Sequence, residues 1–259
     1  MRILALVAND NTYQPRVYEE ILKQLGSEMI GLVIVPMMPN LGKEIKFMRF
    51  LFNLYSFKGF FLKFSLVIRN KVYDILSCFF PLKRCYSLKR LAKKYSIPLY
   101  FTCNINSGDF LEFVSKLQPD LIISSQGQII GSELLRIPRK GIINKHAGLL
   151  PKYRGIYPVF WAMMNNEKRI GITVHFVNEG IDAGDIIIQE ALEIGSDDTF
   201  ESIYERVIRK TPDLLLKAVD LIKKDGSVLK KNDTSEASYY SYPTKMDIAR
   251  FKKLGKRVI

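Results

Sequence analysis

Uninterrupted runs of apolar residues recur along the chain and limit the folds available to it. Arg2–Ala8, Met29–Val35 and Leu121–Ser124 are the clearest of these runs. Strands that are buried on both faces have this composition, which is typical of parallel sheets. Apolar residues with helical spacing follow the first run, at Pro15–Leu25. The alternation of the two patterns predicts an α/β fold with a Rossmann-like, doubly wound and mostly parallel sheet.

The same two patterns continue towards the end of the chain and define its organisation. We expect further strands at Leu99–Thr102, Gly141–Lys145, Gly171–Val177 and Asp185–Ile194, and further helices at Asp109–Leu117, Tyr157–Met164 and Phe200–Lys224. Residues 1–195 then form one α/β domain. Residues 196–259 add a short C-terminal extension, which consists of a helix and a basic tail.

One segment carries most of the positive charge. The net charge is +13, and residues 41–95 hold 13 Lys and Arg against Glu44 and Asp74, which leaves +11 in this segment and +2 elsewhere. Phe47–Phe80 also contains 11 aromatic residues, nine Phe and two Tyr. The pattern predicts one or two amphipathic basic helices, inserted between the second strand and the next unit of the sheet.

Three interpretations of this basic aromatic segment remain open. It could form a helical hairpin that covers a sheet edge or a homodimer face. It could instead be a peripheral element, over residues 47–80, that rests on anionic lipid. Aromatic and basic residues together also suit stacking on single-stranded nucleic acid, although we do not expect that partner. Because its uncharged stretches reach only eight residues, we expect that it does not span a bilayer.

Several common kinds of site have no signal in this sequence. Cys78, Cys85 and Cys103 show no C-x-x-C spacing, so we expect reduced thiols, a cytoplasmic protein and no metal. Met1–Ala8 lacks the pattern of a signal peptide. Neither a glycine-rich phosphate loop nor a G-x-S-x-G nucleophile motif is present.

The two histidines of the chain stand close to predicted strands. His146 follows the strand Gly141–Lys145, and Asn144 lies two residues earlier, so both point to one side. Ligands of open α/β sheets bind beyond the carboxyl ends of the strands. An amide that stabilises an oxyanion and an imidazole that moves a proton suit acyl transfer, while the alternative is a structural histidine. For His175, inside a strand, we expect support of the sheet or of the site.

Four ordered motifs carry a resemblance to a known family. Asn144–Pro151, Tyr153–Gly155, Gly171–His175 and Gly180–Gln189 resemble the signature of the formyltransferases. These enzymes move a formyl group from 10-formyltetrahydrofolate to an amine. The resemblance implies a formyltransferase catalytic domain over residues 1–195 and 10-formyltetrahydrofolate as co-substrate, without a metal.

The resemblance also implies the roles of individual residues. It assigns catalysis to Asn144, His146 and Asp182. It assigns cofactor binding to Gln126, Gly127, Gln128, Ile130, Asn178, Glu179, Gly180 and Ile181, and substrate binding to Tyr153, Arg154, Gly155 and Tyr157. Asp182, in a glycine-flanked turn, would orient His146. As a nearby carboxylate it would raise the pKa of that histidine.

The amine acceptor is inferred from departures within the family. Ala8–Tyr13 has no glycine, which disfavours the purine-pathway substrate, and the roughly 70 residues after Gln189 are too few for the β-domain of the initiator-tRNA formylase. The chain is more similar to the sugar N-formyltransferases, which implies a nucleotide-linked amino sugar used for cell-surface polysaccharide. The basic segment would suit an enzyme that acts close to the inner membrane. A methionyl-tRNA formyltransferase-like enzyme and a non-catalytic membrane-surface or scaffold protein remain alternatives.

Overall fold

The fold was described from a computed structural model, which covers residues 1–37, 41–77, 79–80, 84–224 and 229–259. The strands are β1 (Ile3–Ala8), β2 (Met29–Val35), β3 (Leu99–Phe101), β4 (Leu121–Ser125), β5 (Ile142–His146), β6 (Arg154–Gly155), β7 (Arg169–Phe176), β8 (Ile186–Glu193) and β9 (Tyr239–Tyr240). The α-helices are α1 (Gln14–Leu25), α2 (Leu41–Leu76), α3 (Leu88–Lys94), α4 (Gly108–Leu117), α5 (Ser132–Leu135), α6 (Pro158–Met164), α7 (Phe200–Lys223) and α8 (Lys245–Lys253).

Seven of these strands form one sheet, in the order β3-β2-β1-β4-β5-β7-β8. β1 runs parallel to both β2 and β4, and β2 runs parallel to β3. β7 and β8 are antiparallel neighbours. The prediction of a mostly parallel, Rossmann-like α/β sheet is therefore confirmed. Each predicted strand and helix is present, with ends that differ by at most two residues.

The chain divides into two compact units, and the first comprises residues 1–48 and 57–143. Its core is the apolar sequence of β1, whose residues Ile3–Val7 are completely buried. Helix α1 buries one face, as its spacing predicts, and Tyr18 on that face is 0% exposed. The Tyr18 hydroxyl donates to Ser125 Oγ at the end of β4, 3.0 Å away, so a polar atom is satisfied inside this core.

The second unit comprises residues 49–56 and 144–259. Its centre is the β7–β8 pair, against which helix α7 packs. Thr199 caps α7 by accepting from the Ser202 backbone, and Ser202 accepts from the Thr199 backbone in return. This reciprocal capping satisfies two amides at the start of the helix. The predicted division at residues 195 and 196 stays a prediction.

The C-terminal extension has more structure than the predicted basic tail. Strand β9 pairs in parallel with β6, in the register Arg154↔Tyr239 and Gly155↔Tyr240. Helix α8 follows, and its Phe251 is 0% exposed. The sequence shows no long apolar run here, because only two residues of β9 pair and only one face of α8 is buried.

The basic aromatic segment forms helix α2, as predicted. The helix is interrupted at Ser56, whose φ of 59° and ψ of 178° are not helical, so there are two helical segments. Within the described part of the chain, Glu44–Leu76 is the one helix long and apolar enough, by length and composition, to cross a membrane. The expectation that the segment does not span a bilayer stays a prediction. Length and composition alone do not separate a spanning helix from one that lies along a surface.

Phe251 provides a test of the C-terminal packing. Its ring stacks on Phe160, with centroids 4.5 Å apart. Replacing Phe251 by Ala should lower the free energy of unfolding by about 3–5 kcal/mol, because the large side chain leaves a cavity. Chemical denaturation measures this loss. The matched control is Lys253→Ala on the exposed side of the same helix, which should change the stability by less than about 0.5 kcal/mol. Equal effects of the two substitutions would contradict this packing.

Candidate active site

The end of strand β5 carries the first two residues of the candidate site. Ile142 and Ile143 are buried and hold the strand in the sheet, and the strand ends at His146, which is 5% exposed. Asn144 is half-buried on the same strand. Side chains two residues apart on a strand point to the same face, so the amide and the imidazole share one side of β5, as predicted.

The imidazole of His146 has an acceptor at each nitrogen. Nε2 lies 2.7 Å from the Tyr153 carbonyl oxygen, and Nδ1 lies 3.4 Å from Asp182 Oδ2. Because a carbonyl oxygen only accepts, Nε2 carries a proton and donates it. A Cβ on Gly148 would stand 2.8 Å from His146 Nε2, so this position needs a residue without a side chain.

Asp182 is held in place by contacts from several directions. Its φ of 47° lies in the left-handed region, which Asp tolerates better than most residues. Oδ2 accepts from the Gly155 amide at 2.8 Å, and Oδ1 lies 3.6 Å from His175 Nε2. Asn232 Nδ2 donates to the Asp182 carbonyl at 2.9 Å. The turn thus fixes the carboxylate beside two imidazoles.

The carboxylate of Asp182 is ionised at neutral pH. Burial raises the pKa of this group, but the neighbouring imidazoles of His175 and His146 and the hydrogen bond from the Gly155 amide lower it by more, and the resulting pKa is about 2. Asp182 therefore supplies a fixed negative charge beside His146 above pH 2.

The pKa of His146 differs from the sequence expectation. Burial lowers the pKa of this imidazole below its usual 6.5, and this effect exceeds the opposing effect of Asp182, which raises it. Asp182 raises the pKa of His146, as expected, but burial has the larger and opposite effect, and the sequence does not reveal how completely the ring is buried. The lowered pKa favours the neutral form of the imidazole at pH 7.

His175 lies inside β7 and is 1% exposed. Its Nδ1 donates to the Phe176 carbonyl at 2.7 Å, which turns Nε2 towards Asp182. The ring is therefore in position to orient the carboxylate. This placement agrees with the predicted supporting role, which stays a prediction.

The loop that follows His146 is held by the C-terminal extension. The amides of Arg154 and Ile156 donate to the carbonyls of Ser238 and Tyr240, both at 2.9 Å. Gly155 has a φ of +93°, and a Cβ there would stand 2.2 Å from the Tyr240 carbonyl oxygen, so only glycine fits. Ser238, Tyr240 and Asn232 were missed by the sequence analysis. They belong to no recognisable motif and lie 50 or more residues from their partners.

Two of the predicted substrate-binding residues use their side chains within the protein. The Tyr153 hydroxyl donates to Glu167 Oε1 at 2.7 Å, and burial raises the pKa of this phenol. The Tyr157 ring packs edge-on against Phe50, with centroids 5.0 Å apart, and burial raises its pKa well above 10.0. Gly155 gives its amide to Asp182. Arg154 is the remaining member of the predicted set.

The guanidinium of Arg154 combines burial with unused donors. Its Nε and Nη2 atoms are buried, and neither has a hydrogen-bond partner in the part of the chain that the structure describes. A buried donor without a partner is costly, so such a group is often completed by a ligand. Anions with several oxygens match the geometry of a guanidinium.

The first predicted cofactor loop, Gln126–Ile130, lies in the first unit. The Gln126 side chain donates to the Gln128 carbonyl at 2.9 Å, and the Gln128 side chain donates to the Cys103 carbonyl at 2.8 Å. Both amides therefore shape the loop. Ile130 is only 8% exposed and Ile129 is 72% exposed, so Ile129, which the sequence analysis left out, offers the apolar surface. The loop could contribute backbone atoms and this isoleucine to a ligand.

The second predicted cofactor loop lies in the second unit and precedes Asp182. Asn178, Glu179 and Gly180 are exposed, and Ile181 exposes 46% of its surface. The Asn178 side chain accepts from the Gly180 amide at 3.0 Å, which closes the turn. Each of the two loops thus offers an exposed isoleucine beside polar backbone. Among the described residues, no group of three His, Cys, Asp or Glu could hold a metal ion.

Known sequences resemble this chain over its central part. Residues 91–219 match the family model described as formyl transferase. Methionyl-tRNA formyltransferase of Kosmotoga olearia is 36% identical over 161 residues, which are 62% of this chain and 52% of the relative. The chain spans about half the length of the curated relatives it matches.

Solved structures share the fold over most of the chain. An N-formyltransferase from Helicobacter canadensis, in complex with folinic acid and dTDP-3-aminofucose, has a TM-score of 0.61 at 19% identity and is matched over 100% of this chain and 84% of its own. Glycinamide ribonucleotide transformylase 1 from Symbiobacterium toebii has a TM-score of 0.61 at 18% identity, over 90% and 94% of the two chains. At these identities the likeness concerns the fold.

The titration of His146 tests the electrostatics of the site. Because burial outweighs Asp182, we expect NMR to give His146 a pKa below 6.5. Asp182→Asn should lower this pKa further, since it removes the charge that stabilises the imidazolium. The chain has two histidines, so His175→Gln assigns the signals. A midpoint above 6.5 would show that burial is not the dominant effect, and an upward shift in Asp182→Asn would show that the carboxylate does not raise this pKa.

Proposed function

We propose that this chain, whose residues 91–219 belong to the formyl transferase family, transfers a formyl group from 10-formyltetrahydrofolate to a primary amine. The observation that carries the proposal is the arrangement at the end of β5, where His146 lies 3.4 Å from the Asp182 carboxylate and Asn144 shares its face of the strand. An amide donor, an imidazole and a carboxylate are the groups that acyl transfer to an amine requires.

Asn144 acts on the formyl oxygen. When the amine nitrogen attacks the formyl carbon, negative charge develops on that oxygen, and a hydrogen bond from the Asn144 amide stabilises it. Such a donor accelerates acyl transfer because the charge, and therefore the hydrogen bond, is stronger in the transition state than in the ground state. Asn144 is half-buried on strand β5.

His146 moves the proton that the reaction displaces. The new C–N bond forms as the amine loses one proton, and the bond to N10 of the folate breaks as that nitrogen gains one. A neutral imidazole can take this proton and return it. Asp182 Oδ2, 3.4 Å from Nδ1, stabilises the imidazolium that forms in between. The low pKa of Asp182 keeps that charge in place throughout.

The formyl donor is 10-formyltetrahydrofolate, which supplies an activated formyl group when it is bound. The loop Asn178–Ile181, in the same unit as His146 and Asp182, would contact its pterin through backbone polar atoms and the side chain of Ile181, and Gln126–Ile130 is the other loop that the resemblance assigns to this cofactor. The exposure of Ile181, at 46%, supports this part of the proposal. The Helicobacter canadensis relative was crystallised with folinic acid. Because the proposed reaction uses a folate, we place the protein in the cytoplasm.

For the acceptor, we propose a nucleotide-linked amino sugar, whose formylated product enters cell-surface polysaccharide. The guanidinium of Arg154, whose buried Nε and Nη2 have no hydrogen-bond partner among the described residues, suits a diphosphate. It is adjacent in sequence to Tyr153 and Gly155, which contact His146 and Asp182. The second candidate is an aminoacyl-tRNA, favoured by the names of the methionyl-tRNA formyltransferases to which the chain is about one-third identical.

Assays of single-site variants test the reaction. Wild-type protein with 10-formyltetrahydrofolate should formylate members of a panel of nucleotide-linked amino sugars, and mass spectrometry should detect a product carrying one formyl group. His146→Ala and Asn144→Ala should each lower kcat by about 10²- to 10⁴-fold. Lys152→Ala, which alters an exposed neighbour in the same loop, is the matched control and should leave kcat unchanged. Full activity of both site variants would refute the proposed roles.

Arg154 separates the two acceptor hypotheses. Arg154→Ala should raise the KM for a nucleotide-linked amino sugar by about tenfold or more, because it removes a charge-assisted contact to phosphate. The KM for 10-formyltetrahydrofolate should stay constant. The KM of Arg154→Lys for the nucleotide-linked amino sugar should lie between those of the wild type and Arg154→Ala. Lysine keeps the positive charge but lacks the two-pronged geometry of the guanidinium. If methionyl-tRNA is formylated and no sugar is, the acceptor assignment is wrong while the formyl transfer stands.

A further inference from the structure

The second helical segment of α2, residues 57–76, exposes a continuous apolar stripe. We call it the outer stripe, and it consists of Phe57, Phe61, Phe64, Ile68, Val72 and Ile75. The spacing of three and four residues places all of them on one side of the helix. Each side chain is between 45% and 67% exposed. The stripe continues beyond the helix, where Phe79 and Phe80 are 75% and 62% exposed.

The opposite side of the same helix carries its polar contacts. Asn70 is only 4% exposed and donates to the Asn11 carbonyl at 3.1 Å. Lys63 donates to the Tyr13 hydroxyl at 2.6 Å, and Asp74 accepts from Ser87 Oγ at 2.7 Å. These polar side chains thus contact other parts of the first unit, while the outer stripe is exposed. An exposed apolar surface of this extent marks a binding surface.

The charges beside the outer stripe all have one sign. Lys58 and Arg69 are exposed on one flank of the stripe and Lys71 is exposed on the other. Among the described exposed residues of 57–76, there is no carboxylate. An apolar centre with cationic flanks is complementary to anionic lipid, because the apolar side chains enter the acyl boundary while the cations reach the headgroups.

Two other occupants fit the charges and contacts less well. A second copy of the chain, related by a twofold axis, would bring the same cationic flanks towards one another. A membrane-spanning orientation would remove Asn70, Lys63 and Asp74 from their partners in the first unit and place them in hydrocarbon, which is costly.

We propose that the outer stripe docks on an anionic lipid surface, with the helix lying along the headgroup layer. The helical segment of 20 residues is about 30 Å long, so several headgroups lie within its reach.

Vesicle sedimentation with the full chain tests this proposal. The protein should sediment with vesicles that contain phosphatidylglycerol and phosphatidylcholine, and should stay in the supernatant with phosphatidylcholine alone. Raising the salt concentration should weaken the sedimentation, since screening reduces the attraction between the cations and the headgroups. The combined variant Lys58→Gln/Arg69→Gln/Lys71→Gln should lose the preference for the anionic vesicles.

The apolar contribution is tested by a second variant and a matched control. The variant Phe61→Gln/Ile68→Gln/Val72→Gln removes apolar surface and introduces glutamine, which is a good helix former. It should bind anionic vesicles at least about tenfold more weakly than the wild type. Phe101→Gln/Met246→Gln changes apolar side chains that are 68% and 81% exposed elsewhere, and it should bind like the wild type. Circular dichroism of each variant checks that the helices persist.

Three results would overturn the proposal. The first is equal binding by the outer-stripe variant and the control, or no binding to either vesicle. The second is a lipid-free dimer, seen by analytical ultracentrifugation, that the outer-stripe variant abolishes, because the stripe would then be an interface between copies. The third is binding that resists high salt and alkaline carbonate, which would indicate an inserted helix.

Discussion

The carboxylate of Asp182 is the interaction on which the proposed site depends. It lies 3.4 Å from His146 Nδ1 and 3.6 Å from His175 Nε2, and it accepts from the Gly155 amide. A carboxylate this enclosed would be unstable without such partners, because burial disfavours its charge. The contacts reverse that effect and bring its pKa to about 2. One ionised group thereby joins the end of β5, the interior of β7 and the loop after His146.

This dependence explains why the C-terminal extension has a defined structure. Asn232 donates to the carbonyls of Asp182 and Gly184, and so holds the turn that presents the carboxylate. The pairing of β6 with β9 holds the backbone around Gly155, whose amide reaches Asp182. Residues that follow α7 therefore support groups that precede this helix, across sequence separations of 48 residues or more. In this second unit, the geometry of the site and the packing of the extension are parts of one hydrogen-bonded arrangement.

The sequence predicted those features that depend on local patterns. The apolar runs gave the strands of the sheet, and the spacing of Asn144 and His146 placed both on one face of β5. The net pKa of His146 could not be predicted, since it depends on burial by residues distant in sequence. The pairing of β6 with β9 was equally hidden, because strands of two residues leave no periodicity. The resemblance assigned cofactor binding to Ile130, which is buried, whereas its neighbour Ile129 is exposed. Which of two adjacent isoleucines is exposed depends on the path of the loop, and the sequence does not reveal that path.

The effect of the Asp182 charge on the rate of formyl transfer is the most direct test of this account. Asp182→Asn keeps the size of the side chain and removes its charge. If the Asp182 charge stabilises the imidazolium of His146, kcat for transfer from 10-formyltetrahydrofolate to the amine should fall by about 10²- to 10⁴-fold at neutral pH. The folded structure should persist. An Asp182→Asn protein that folds normally and transfers formyl at the wild-type rate would contradict this account.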